Sequence, residues 1–169
     1  VEQGVSRLPQ ISVAIQREIS IEGAYNYVPI DPCQGVISAV RTAMDLGTHR
    51  AYVDLEVGSY EENELVLPDP YALKEVSLER FVAAMVPALT APNDGDQRFA
   101  RIRRMAYELH LLELEHDRIV LVCSVADWPW IRQAYSDRAR YTQHERSITL
   151  PVCRPCLLYT SPSPRDQLQ

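Results

Sequence analysis

Three aspartates stand where an open α/β sheet would place its chemistry. Asp31 follows the extended piece Tyr25 to Ile30, Asp54 falls near the end of Ala51-Tyr52-Val53-Asp54-Leu55, and Asp127 follows the apolar run Arg118 to Val125. In such sheets ligands bind beyond the carboxyl ends of the strands. Carboxylates converging there would ligate a divalent metal or share a proton. Each aspartate also has a structural reading. Asp31 precedes Pro32, a pairing suited to the cap and first position of a helix. Asp54 alternates with apolar neighbours and would face a polar rim. Asp127 would cap the helix after Trp128-Pro129. The two tryptophans around Pro129 would wall a pocket or, as Trp is usually well buried, seal the sheet edge against a helix. Arg98, Arg101, Arg103 and Arg104 cluster at the start of a long helix. A phosphate would suit them, but cations at a helix N-terminus oppose its dipole. A solvated face partly paired with Glu108 is the expectation. His49, His110, His116 and His144 show no metal-ligand spacing, and no Gly-rich phosphate loop, Gly-x-Ser-x-Gly elbow or His-Glu-x-x-His is present.

The elements that would position these residues follow from periodicity. Ile11 to Ile15 alternates as a strand does. Val36, Ile37, Val40, Ala43 and Met44 recur at helical spacing after Asp31-Pro32, and Gly47 supplies a stop. Ala51 to Leu55 then reads as a second strand. Strand, helix and strand in that order favour a parallel sheet. Residues 56–70 are acidic and proline-marked, hence a loop. Ser77 should cap a helix from Leu78 to about Leu89. The longest helix should run from Gln97 to His116, with Phe99, Ile102, Met105, Ala106, Leu109 and Leu112 as its apolar stripe. Arg118 to Val125 is nearly continuously apolar, as expected of a strand covered on both faces. The expected fold class is α/β: a partial, mostly parallel sheet flanked by helices and incomplete at both ends. Val13, Val40, Val53, Ile102, Leu109, Val120 and Val122 should share one core.

Composition narrows the function classes. The 169-residue chain is 46% hydrophobic and 24% charged, ordinary for a globular domain. A net charge of −6 argues against a nucleic-acid surface, so no nucleic-acid partner is expected. No apolar run reaches the roughly 18 residues of a membrane span. Cys33 and Cys123 are far apart, which suggests no disulfide framework and mildly favours a cytoplasmic setting.

The end of the chain reads differently from the rest. Cys156 to Asp166 resembles a transposon sequencing adaptor translated in frame, in which TGT CTC TTA TAC ACA TCT encodes Cys156 to Ser161. Residues 156–169 are therefore expected to be a non-native tail, and Cys153-x-x-Cys156 an accidental pair. Residues 138–155 have no clear period. Residues 1–137 are expected to be a fragment of one α/β domain, with Val1 to Arg7 as the last turns of a helix that starts upstream.

The order of segments resembles a family. Tyr27-Val28-Pro29-Ile30-Asp31-Pro32, a helix ending in Leu46-Gly47, and Tyr52-Val53-Asp54-Leu55 are similar to the middle of the erythromycin-esterase/ChaN/TraB-like superfamily. Arg101 to Ala106 and Val120 to Asp127 resemble its later helix and strand. The resemblance spans about residues 8–135. It implies an α/β fold with a metal- or haem-handling cleft. By position only Arg101 and Asp54 carry over. The family's helix Glu falls at Ile102 here, its small Gly at Ser124 and its strand-end His at Asp127. Two expectations follow. The first is a divergent hydrolase using Asp54, Arg101 and Asp127, with Asp54 and Asp127 binding a divalent metal. The alternative is a non-catalytic binding or scaffold domain that has lost the family's acid/base residues, since Ile102 cannot move a proton.

Overall fold

The computed structural model describes residues 1–17, 21–61 and 68–138. In chain order the elements are helix α1 (Glu2–Val5), strands β1 (Ser12–Arg17) and β2 (Tyr25–Ile30), helix α2 (Gly35–Asp45), a 3-10 turn (Pro70–Lys74), helix α3 (Leu78–Met85), a second 3-10 turn (Val86–Ala88), helix α4 (Gln97–Leu112) and helix α5 (Trp128–Ser136). They divide into two compact units. The first is Val1–Tyr52 with Val57–Ser59; the second is Val53–Glu56 with the described residues from Tyr60 onward. The sequence readings of residues 139–155 and of the tail from Cys156 lie outside the described residues.

In the first unit β1 and β2 pair antiparallel, Ser12 opposite Ile30 and Arg17 opposite Tyr25. Val5, Ile30 and Ile37 form the buried cluster, with Leu8, Ala14, Val40 and Met44 packed against it. A side chain at Gly4 would overlap Ile30 Cδ1, so that buried methyl would have to move to keep α1 this close to β2. Asp31 does not cap α2. Its Oδ1 accepts from Cys33 N at 2.8 Å, and the helix starts at Gly35 after Gln34. The aspartate shapes the turn before the helix, a competing use common for Asp. The far end of α2 stops as its glycine requires. Gly47 has φ +61°, and Thr48 N donates to Ala43 O at 2.9 Å. Residues 50–52 return to α1. Arg50 Nε donates to Glu2 Oε1 at 3.0 Å, and the Tyr52 hydroxyl donates to the same oxygen at 3.0 Å.

In the second unit α4 and α5 carry the core. Ile102, Met105, Ala106 and Leu109 fall at helical spacing on α4 and are buried. With Ile131 of α5, three of these (Ile102, Met105 and Leu109) form one cluster, against which Val53, Leu121, Cys123, Trp130, Ala134 and Tyr135 pack. Each fully buried Ile, Leu or Met contributes about 1.5–3 kcal/mol relative to exposure. Ser77 Oγ accepts from Arg80 N at the start of α3, as its position suggested.

Among the described residues the mostly parallel sheet is not formed. The sheet of the described residues has two strands, β1 and β2, and they are antiparallel. The connection between them, residues 18–24, is too short for a parallel crossover, which takes about a dozen residues or more. Ala51 to Leu55 and Arg118 to Val125 lie in no strand. The second segment is not covered on both faces either. Leu121 and Cys123 pack on the cluster, whereas Val120 is 90% exposed and Val122 51%. A continuous apolar run does not reveal whether one face or two will be covered. The single expected core is likewise two clusters, Val40 belonging to one and Val53, Ile102 and Leu109 to the other.

Candidate functional site

Two of the three aspartates singled out for chemistry, Asp54 and Asp127, are held against α4 of the second unit by arginines. Arg98, one turn before Ile102, continues the buried stripe and is 7% exposed. A buried guanidinium must have all its donors matched. Arg98 Nε donates to Asp127 Oδ1 at 2.7 Å, NH2 to the Ala126 carbonyl at 2.7 Å and NH1 to the Thr90 carbonyl at 3.3 Å. Asp127 therefore gives no side-chain cap to α5. Ser124, the residue at the resembled family's glycine, builds the turn that presents it. Its carbonyl accepts from Asp127 N and Trp128 N, both at 3.0 Å, and its hydroxyl from Ala126 N at 3.2 Å.

Arg101 makes the second pair. It grips Asp54 with two donors, Nε to Oδ1 at 3.0 Å and NH2 to Oδ2 at 2.5 Å. The planar fork of arginine matches a carboxylate in this way. The Tyr60 ring lies 4.7 Å from the guanidinium carbon, within cation–π range. The carboxylate of Asp54 remains 46% exposed. Burial opposes the charge on Arg101, but its hydrogen bonds to Asp54 and the fields of Asp54, Tyr60 and Asp127 outweigh this and hold its pKa above the ordinary value. Burial pushes the Tyr60 phenol up. The charge of Arg101 pulls the other way, and those of Asp54 and Asp127 add to the rise. Burial, then Asp127, also raises the Cys123 thiol. These electrostatic couplings put Tyr60, Asp54, Arg101 and Asp127 in one neighbourhood.

The start of α4 is capped from a distance. Glu61 Oε2 accepts from Gln97 N at 3.0 Å, and Gln97 Oε1 accepts from Glu61 N at 3.2 Å. A carboxylate thus meets the positive end of the helix. Asp96, at the N-cap position, gives no side-chain cap; its carboxylate accepts from Asn93 N at 2.9 Å instead.

Asp54, Arg101 and Asp127 are therefore brought together, while Asp31 shapes a turn in the first unit. Sequence reasoning put Arg98 on a solvated face, where the structure buries it, and missed Tyr60 and Glu61. Arg98 had a signal: it lies four residues before Ile102, in phase with the stripe, so it was never on the solvated face. Tyr60 and Glu61 had none, because their partners lie at Arg101 and Gln97. The pairing of Arg104 with Glu108 is present. Arg103 lies over the ring of Phe99 at 5.5 Å, and His110 stacks on Tyr135 at 4.4 Å.

The donor set fits a cation poorly. Both oxygens of Asp54 and one of Asp127 already accept from guanidinium groups. Among the described residues no three His, Cys, Asp or Glu side chains gather as metal ligands. Nor is any helix among them long and apolar enough to cross a membrane. No family model, no curated protein and no solved structure matches the chain.

Proposed function

We propose that this chain belongs to a non-catalytic binding domain, in which the aspartates at the family-like positions serve as clamps. One observation carries the reading: Asp54 and Asp127 are each bound by an arginine of α4, which competes with any role as a base or a cation ligand. The other groups around them support it. Tyr60, Cys123 and Arg101 all have pKa values raised from ordinary values that already lie above neutrality. A general acid or base works best with its pKa near the operating pH. Ile102, at the family's Glu position, is 2% exposed and sits in the core cluster.

A second reading, the metal-dependent hydrolase, is favoured by the charges of both Asp54 and Asp127 acting on Arg101 and Tyr60. Thermal shift with Mg²⁺, Mn²⁺ and Zn²⁺, alongside a screen of simple esters, separates the two. The clamp reading expects no saturable shift and no turnover. A saturable shift that disappears in both Asp54→Ala and Asp127→Ala would return these residues to metal chemistry.

A further inference from the structure

We infer that the second unit carries a binding site for a small carboxylic acid with a compact apolar body, in a cleft along one face of α5. The cleft is open on one side, offers about 190 Å³, and its lining includes none of the ion-paired residues of α4. Trp128, Ile131, Arg132 and Tyr135 line it together. Their spacing of three, four and seven residues makes them one helix face. Leu109 and Leu121 supply the opposite lining. Exposure orders these residues by depth. Ile131 and Leu109 are buried, at 1% and 8%, while Trp128 is 44% exposed and Arg132 is also exposed. The interior is thus aliphatic and aromatic, and the mouth holds an indole and a guanidinium.

Charge complementarity selects the occupant. Arg132 makes no ion pair among the described residues, in contrast to Arg98, Arg101 and Arg104. An apolar pocket with one placed charge is the usual design of a small-molecule site, the apolar walls giving affinity and the charge fixing orientation. Arginine at such a mouth matches a carboxylate better than a neutral group. Size limits the apolar part. A cavity of about 150 Å³ accepts benzene, so this one suits a single ring or a short branched chain, with its carboxylate outside at Arg132. The site rests on the binding reading only in expecting a ligand. It uses none of the residues in the metal test, so either result stands without the other.

The chain has two tryptophans, and Trp128 lines the cleft while Trp130 packs on the core, so Trp130→Phe leaves a local fluorescent reporter. Phenylacetate and its neutral isostere phenylacetamide are titrated into this protein and into the same protein carrying Arg132→Gln. Phenylacetate should saturate the Trp128 signal at least about fivefold more tightly than the amide, as a charge-assisted hydrogen bond would allow. Arg132→Gln should bring that ratio close to one by weakening the acid more than the amide. Amide NMR shifts in the unsubstituted chain should move around Leu121, Trp128 and Arg132, a readout independent of how the variants fold. Equal affinity for acid and amide, a ratio insensitive to Arg132→Gln, shifts elsewhere, or no saturable response would overturn the site.

Discussion

Arg98 and Arg101 lie three residues apart on α4, and each binds an aspartate distant in sequence, yet their surroundings are opposite. In the Arg98–Asp127 pair the side chains are 7% and 14% exposed; in Arg101–Asp54 they are 12% and 46%. The guanidinium groups are similarly covered, so the carboxylate decides the difference. Asp127 is fixed in a turn against the helix, whereas Asp54 still shares its charge with water. Breaking a buried pair strands a charge without solvent. Breaking a half-exposed one mostly exchanges protein for water. The resembled layout puts chemistry at both aspartates, but this geometry buries one beside its arginine and leaves the other half-exposed.

The comparison can be broken most decisively at Asp127. Asp127→Ala should destabilise the second unit by about 3–5 kcal/mol, because buried Arg98 loses its counter-charge. Urea unfolding measures this. The double replacement Arg98→Met/Asp127→Leu should recover much of the loss, since it removes both charges. If the single and double variants lose stability equally, the stranded-charge account is wrong.

A smaller effect is expected at Asp54. Asp54→Ala should cost about 0.5–1 kcal/mol, discounted for the solvent around its carboxylate. Raising salt to about 1 M shortens the screening length to roughly 3 Å and should remove most of that difference, leaving the Asp127 effect largely intact. Equal salt sensitivity at the two aspartates would erase the contrast between them.

The smallest effect is in the first unit, where Glu2 sits in a third clamp. Hydrogen bonding from Arg50, then from Tyr52, lowers the Glu2 pKa below its ordinary 4.5. The sign is that of a depressed acid: the clamp contributes above the unfolded value and is lost as pH falls through the folded one. A carboxyl NMR titration should show a Glu2 midpoint under 4.5. Arg50→Gln should move it back up, and Tyr52→Phe should do so less. An unchanged midpoint in Arg50→Gln would remove Arg50 as the cause.

Some of this was written locally and was readable. The stop at Gly47, the Ser77 cap and the stripe Ile102, Met105, Ala106 and Leu109 depend on neighbours a few residues away, so spacing alone exposes them. The same phase rule, applied to Arg98, would have placed it inside. Asp31 shows the limit even at short range, because an aspartate can serve a turn or a helix with the same oxygen.

By itself, then, the sequence determined roughly where α2, α3 and α4 lie, the buried stripe of α4 from Ile102 to Leu109, and which acidic and basic residues stand near segment ends; it carried α4 to His116, past its end at Leu112. Tertiary structure alone decided strand direction, the one-sided burial of Leu121 and Cys123, and the partners of Asp54, Glu61 and Asp127. The physical reason is range. Propensity and periodicity act over a few residues, whereas an ion pair or a covered face depends on groups that the folded chain brings in from dozens of positions away.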